Sequence, residues 1–396
     1  MVTINPVVFV FFLYIAANFV GMISGMISGG MFLEGRFFAL ENSSLAVSFF
    51  LQVLVLCIIF LVYINFRSKV LNKLYLGNCW ASFLLVVQIF YLVYSLKNGL
   101  NIAGDDKTIE GGSIVNYLLI FLQPDILFLL VGVNLRSNRF FLINVFVFLA
   151  SMALRGWMSG FFIVLFIMLA RYYPVRISMR RFFIFLFCSL IFFGILPAII
   201  EAKWAMRSDV DFWEFVSGIG KTFALEKYQV AFEYLLNRFQ HVGHVALLFE
   251  NSDRLNSDLS KGVFQSYWMD GLPQYTISKV FELNTFKLNS YMVELFFGAS
   301  DRAWNTNPGV AGWLFVLQER SIFFILYSIF VLLLPLYVIK RLAGDAMLMI
   351  VSCFSIIYFF HGWFGAYFNI IFYSMVLVFI WRARFSRHRL SKYSAE

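Results

Sequence analysis

Residues 140–172 read FFLINVFVFLASMALRGWMSGFFIVLFIMLARY, an apolar run of 33 residues with Arg155 near its middle. At about 1.5 Å per residue such a helix is far longer than the roughly 30 Å core of a bilayer. Arg136 and Arg139 precede the run, and Arg171, Arg176, Arg180 and Arg181 close and follow it. Lys and Arg collect on the cytoplasmic side of membrane helices, so two basic flanks require an even number of crossings. The run is therefore expected to double back, with Arg155-Gly156-Trp157-Met158-Ser159-Gly160 as a tight turn at the outer face between two short spans.

The same parity argument extends in both directions. Spans are expected at 6–27, 45–65, 74–96 and 114–133 before the hairpin. Arg67, Lys69 and Lys73 mark a cytoplasmic loop, and Asp105, Asp106 and Glu110 lie in an external one. A seventh span, 182–200, leads into a stretch of about 120 residues, 201–320. An eighth, 321–339, returns to Lys340 and Arg341. A second hairpin, 346–381, turns at His361-Gly362-Trp363-Phe364-Gly365, and a basic tail follows. The expected fold is an all-α polytopic membrane protein of about ten transmembrane helices. Its parts are 1–200 (spans one to seven), 201–320 (one large external loop with helical segments) and 321–396 (spans eight to ten and a cytoplasmic tail).

Composition agrees. Hydrophobic residues make up 61% of the chain and charged ones 13%, more apolar surface than a water-soluble fold can hide. Of the 31 lysines and arginines, 16 fall in the expected cytoplasmic segments, with only Asp345 and Glu396 as acids. The net charge of +9 is thus topological, and nucleic-acid binding is not expected. The external stretch carries 11 basic and 14 acidic residues, a net of −3. Cys57, Cys79, Cys188 and Cys353 fall inside spans without CxxC spacing, which excludes a disulfide scaffold and a zinc ribbon. The first apolar run lacks a basic leader and reads as a membrane helix rather than a cleaved signal.

Arg155 stands out, because a guanidinium at membrane depth needs a partner or a wet cavity. One reading is a snorkelling anchor. The other is an anion site, since Arg offers phosphate a bidentate fork. Arg207, Arg238, Arg302 and Arg320 of the large loop could gather with it around a diphosphate leaving group. Asp125, after Pro124, is a lone acid within a span and likewise needs a partner. Residues 226–250 read as helical, with Arg238, His241 and His244 within an arc of roughly 120°. His241 is the candidate general base and Glu319 the carboxylate alternative. A capping role for the histidines is an equal reading, and zinc is disfavoured without a third ligand. His361, at the outer turn of the last hairpin, could line the same cavity. Asp209 and Asp211 have metal-like spacing but stand beside Arg207. The run 310–317, ending at Gln318-Glu319-Arg320, is too short to span and reads as re-entrant.

These residues together resemble the O-antigen polymerase family, the oligosaccharide repeat-unit polymerases of bacterial polysaccharide assembly. Leu154-Arg155-Gly156 looks like the family's arginine at the outer turn of a central hairpin, and Arg238-Phe239 like its loop Arg-Phe. The segments 272–297 and 305–321 look like its loop end and returning helix, although Glu319-Arg320-Ser321 departs from the glycine often found there. The resemblance implies a metal- and cofactor-independent glycosyltransferase of the bacterial inner membrane with both termini cytoplasmic. It would polymerise undecaprenyl-diphosphate-linked repeat units into O-antigen or related surface polysaccharide, with a chain-length regulator as a possible partner. An O-antigen ligase shares this architecture. A lipid-linked oligosaccharide flippase is the non-enzyme alternative, disfavoured by one long loop and no internal repeat.

Overall fold

The first long helix, α1 (Pro6–Ser28), buries Val7, Phe11, Tyr14, Asn18, Gly21 and Gly25. Steps of four and three residues keep one stripe of a helix against a partner. The partner is α2 (Asn42–Phe66), which buries Leu45, Ser48, Gln52, Leu56, Ile59 and Tyr63 in nearly the same rhythm. Phe12, Phe50 and Leu54, on the outer faces, leave more than half of their surface uncovered. Ser48 and Gln52 turn inward while phenylalanines turn outward. That reverses the arrangement of helices in water and suits one in lipid.

The computed structural model describes residues 2–67, 74–99, 115, 118–119, 122–157, 159–207, 223–271, 274, 277–278, 280–298 and 306–393. It is 78% helical, with two small two-stranded sheets. Among the described residues five helical segments are long and apolar enough to cross a membrane: Pro6–Ser28, Asn42–Phe66, Asn78–Asn98, Gly309–Leu342 and Phe364–Trp381.

The chain opens with β1 (Val2–Ile4) and α1, then a hairpin of β2 (Gly30–Leu33) and β3 (Arg36–Ala39), then α2. There follow α3 (Asn78–Asn98), α4 (Pro124–Gly132), α5 (Asn138–Leu154), α6 (Gly160–Arg171), β4 (Val175–Ile177), α7 (Met179–Arg207) and α8 (Leu225–Leu236). The remainder holds α9 (Val242–Glu250), α10 (Ser252–Ser260), α11 (Leu288–Met292), α12 (Gly309–Leu317), α13 (Ser321–Leu342), α14 (Asp345–Phe354) and α15 (Phe364–Tyr393). Two units divide these elements. One comprises Met1–Asn5 and Gly77–Gln240, the other Pro6–Leu76 and His241–Glu396. The boundary between the units at Gln240 and His241 falls within the stretch 201–320.

In the first unit β1 pairs antiparallel with β4, Val2 opposite Ile177 and Ile4 opposite Val175. Helix α3 packs on α4 and α5, and α5 on α6. The Ser137 hydroxyl accepts the Phe140 N–H and so caps the start of α5. The helix ends at Arg155 and Gly156, the latter in the left-handed region at φ +74°. The break between α5 and α6 falls within the turn expected at 155–160. At the other end of this hairpin Arg171 is buried. It donates to the carbonyls of Gly132 and Leu135 and to the side chain of Asn138, over the ring of Phe141. Sequence reading had made it a simple flank charge.

The second unit has helices covered on every side. All of Asp345–Phe354 is buried, as is Val242–Leu248. Helix α9 packs against α1, α2 and α12, and α14 against α1, α2 and α13. A short 3-10 turn, Gln318–Arg320, separates α12 from α13, with Gln318 at φ +47°. Lys340 and Asp345 pair at 2.8 Å where α13 gives way to α14.

Helices α9 and α12 meet at Gly312, where an added Cβ would lie 2.4 Å from Leu248 Cδ1. Leu248 is itself fully buried. Gly312→Leu should overpack this seam and destabilise the detergent-solubilised protein by about 1–3 kcal/mol, seen as a lower thermal midpoint. An unchanged midpoint would mean that the two helices do not meet there.

Candidate functional site

The helix expected over 226–250 is two helices. α8 stops at Leu236, a turn covers 237–239, and α9 begins at Val242 with His241 as its N-cap. Arg238, His241 and His244 therefore do not share one helical face, and Arg238 and His241 belong to different units. The Gln240 N–H still donates to the Leu236 carbonyl at 3.0 Å, so the helical ladder runs as far as Gln240 and ends there. In the second unit the His241 backbone N–H goes instead to Asn18 Oδ1 on α1, at 3.0 Å. Asn18 is itself oriented by donating to the Tyr14 carbonyl at 2.7 Å.

The ring of His241 meets that of His361. His241 Nε2 is 3.0 Å from both ring nitrogens of His361, and the ring centroids are 3.9 Å apart at 71°. Both side chains are buried. His361 sits in the turn before α15, and this turn is fixed by the start of α12. The N–H groups of Gly309 and Val310 donate to the His361 and Phe360 carbonyls, each at 3.0 Å. Gly362 follows at φ +78°, where a Cβ would come within 2.9 Å of the Gly309 nitrogen. Only glycine lets the two backbones approach so closely. Tyr14 lies 5.1 Å and Trp363 5.5 Å from His361, and His244 6.2 Å from His241, centroid to centroid. An imidazole pair of this kind needs one ring to donate and the other to accept. It can take a proton on one nitrogen and pass one on from another, which is what a general base requires.

Arg155 lies at a separate centre, within the first unit. Its Nη2 donates to both carboxylate oxygens of Asp125 at 2.9 Å. Nη1 reaches the Tyr91 hydroxyl at 3.2 Å, and Nε the carbonyl and hydroxyl of Ser151, also at 3.2 Å. The Arg155 side chain is wholly buried, whereas that of Asp125 is 31% exposed. The buried cation is thus neutralised by a carboxylate, with neutral acceptors for its other N–H groups. An anionic ligand would have to compete with Asp125 for the fork. Arg155 and Asp125 each stood out in the sequence as needing a partner; their pairing did not.

Three other expected site residues are exposed. Arg238 is exposed, lies 4.8 Å over the Tyr234 ring and donates to its hydroxyl at 3.0 Å. Glu319 and Arg320 are exposed on the 3-10 turn before α13, whereas His241 is buried. His244 is buried in the first turn of α9. Arg302, the side chain of Arg207, and Asp209 and Asp211 lie outside the described residues. Among the described residues no three His, Cys, Asp or Glu side chains gather as metal ligands. Asn18 and Tyr14 escaped the sequence reading. Their one signal was an amide in the middle of an otherwise apolar span. No family model, no curated protein and no solved structure matches the chain.

Breaking a buried pair on one side strands a charge. Asp125→Ala should destabilise the protein by about 3 kcal/mol, the low end for such losses because the carboxylate is partly exposed. Replacing both partners, Arg155→Met with Asp125→Leu, should cost much less. Thermal unfolding of the single and double variants forms the cycle that checks this. Additive effects would show that the pair is not coupled.

Proposed function

We propose that this chain is a membrane glycosyltransferase that polymerises undecaprenyl-diphosphate-linked oligosaccharide repeat units into surface polysaccharide. It would work at the outer face of a bacterial inner membrane, within ten spans, with both termini cytoplasmic and residues 201–320 facing out. The observation that carries the reading is the buried His241–His361 pair at 3.0 Å. It is a proton acceptor set inside a bundle of apolar helices, as lipid-linked chemistry needs.

In this reading a hydroxyl oxygen of the acceptor sugar bonds to the anomeric carbon of the donor glycan. The bond from that carbon to the carrier's diphosphate oxygen breaks, and the diphosphate leaves with the electron pair. The hydroxyl proton passes to His241, and His361 relays a proton away from it. Arg155, Arg207, Arg238, Arg302 and Arg320 are the cations assigned to the departing charge, a role for fixed positive groups in place of a metal. Arg238 and Arg320 are exposed already. Arg155 serves only if Asp125 yields its fork. Glu319 is the second choice of base and would have to act from the exposed turn.

Purified protein should lengthen lipid-linked repeat units in the presence of EDTA. His241→Ala should slow the chemical step by about 10² to 10⁴, with substrate binding largely intact. Activity lost to EDTA and restored by Mg²⁺ or Mn²⁺ would overturn the metal-free mechanism. Undiminished turnover in His241→Ala would remove the histidine pair from it. For topology, a reporter fused at Lys261 should be active only in its periplasmic form, and one after Glu396 only in its cytoplasmic form. The opposite pattern would reverse the topology and end the functional reading.

A further inference from the structure

Gln52 of α2 is 1% exposed, and neither its Oε1 nor its Nε2 meets a hydrogen-bond partner among the described residues. Ser48 Oγ, one turn away on the same face, is buried and unpartnered too. Buried polar side-chain atoms are as a rule paired, with protein or with ordered water. The face continues through the buried Ser44 to Glu41, which is exposed where α2 begins. Steps of three, four and four residues keep all four on one side of the helix.

Contacts with α1 fix the depth of this face. Phe11 stacks on Phe60 with centroids 4.3 Å apart, Phe19 lies 5.9 Å from Phe49, and a Cβ on Gly25 would come within 3.0 Å of Leu45 Cδ1. The two helices are therefore antiparallel, and the register of these pairs sets Gln52 level with Asn18. Asn18 Oδ1 takes the His241 N–H, so Gln52 lies at the depth of the histidine pair. At the other end the Glu41 N–H donates to Glu250 Oε1 at 3.0 Å, and Glu250 is exposed. Helix α9, which packs on α2, thus flanks the same stretch from His241 to Glu250. That stretch is roughly 15 Å long at 1.5 Å per residue. One end carries two exposed carboxylates and the other the buried imidazoles.

We infer that Gln52 and Ser48 hold a chain of water molecules between α2 and α9, and that this chain carries a proton from the histidine pair to the surface at Glu41 and Glu250. The inference rests on the reading of that pair as the base of the reaction. A buried water makes about three hydrogen bonds to polar groups that the protein leaves unmet. The Gln52 amide offers it a donor and an acceptor, and the Ser48 hydroxyl offers both. Each turnover brings one proton to His241, so one must leave before the next. The protonated pair gives a proton to the nearest water, each water hands on another of its own, and one is released at the surface. The imidazoles are left neutral. Gln52 does not touch the substrate; it is a positioning residue that fixes the first water.

The experiment is solid-state NMR on the full chain in nanodiscs with nitrogen-labelled histidine, reading magnetisation passed from water protons to the ring nitrogens. His241→Gln and His361→Gln assign the signals. Wild-type protein should show transfer to both rings despite their burial. Gln52→Leu should lower it about tenfold, the effect of one lost hydrogen bond on the occupancy of the first water. Ser48→Ala, the smallest change to the same face, should lower it as well. No transfer in the wild type, or undiminished transfer in both variants, overturns the inference. In polymerisation, Gln52→Leu should reduce kcat about tenfold at an unchanged acceptor KM, less than the loss of about 10² to 10⁴ expected without the base itself. Its solvent deuterium isotope effect should rise, because proton exit becomes slow, and a merely structural role would not move that ratio. Unchanged kcat and isotope effect in a variant that has lost the water transfer overturn the proton path and leave the enzyme. Transfer as expected with no polymer from the wild type supports the water chain and removes the polymerase.

Discussion

A helix that begins inside an apolar bundle leaves its first N–H groups with no water to receive them. At three helix starts among the described residues of the second unit, such a group is satisfied from far along the chain. Asn18 receives α9, the carbonyls of Phe360 and His361 receive α12, and Asp270 receives α15. None of these bonds is dispensable in a medium that offers no substitute, where an unmet polar group costs several kcal/mol. The first fixes the backbone that carries His241, the second the turn that carries His361, and the third the start of α15. The placement of the histidine pair is thus a by-product of helix capping.

The two buried polar centres differ in what they can do. Arg155 and Asp125 form a pair whose charges are both already placed, and parting them strands a cation in a fully covered position. Such a pair resists change, and an incoming anion would have to outbid a carboxylate that makes two contacts. The histidine rings differ because an added proton can sit on either of them, so the pair can gain and lose one positive charge. One centre is a fastening and the other is able to cycle.

Much of the fold could be read from where charge and glycine interrupt apolar runs. Arg155-Gly156, Gly362 and Gln318-Glu319-Arg320 each mark a break in the helices, because each is costly to bury or hard to keep helical. The break at 237–241 was not legible. It depends on Asn18, more than two hundred residues upstream, taking the His241 N–H. The site was legible in pieces. His241, His361, Arg155 and Asp125 all stood out as polar groups in apolar company, but spacing along a chain carries no information on partners 120 or 30 residues away. Glu319 and Arg320 stood out for the same reason, yet both are exposed on a 3-10 turn.

The order in which the units are threaded bears on how the protein is made. Helices α1 and α2 leave the ribosome first, but α9, α12 and α14, which cover them, come only after residues 77–240 of the other unit. At about 5–20 residues per second, that wait lasts on the order of ten to thirty seconds. Throughout it the inward faces of the first two helices, with Asn18, Ser48 and Gln52, lie open to lipid or to whatever the insertion machinery provides. A holding factor at the translocon, or a pause in translation near residue 240, would matter more to the yield of this protein than to one whose neighbours in space are neighbours in sequence.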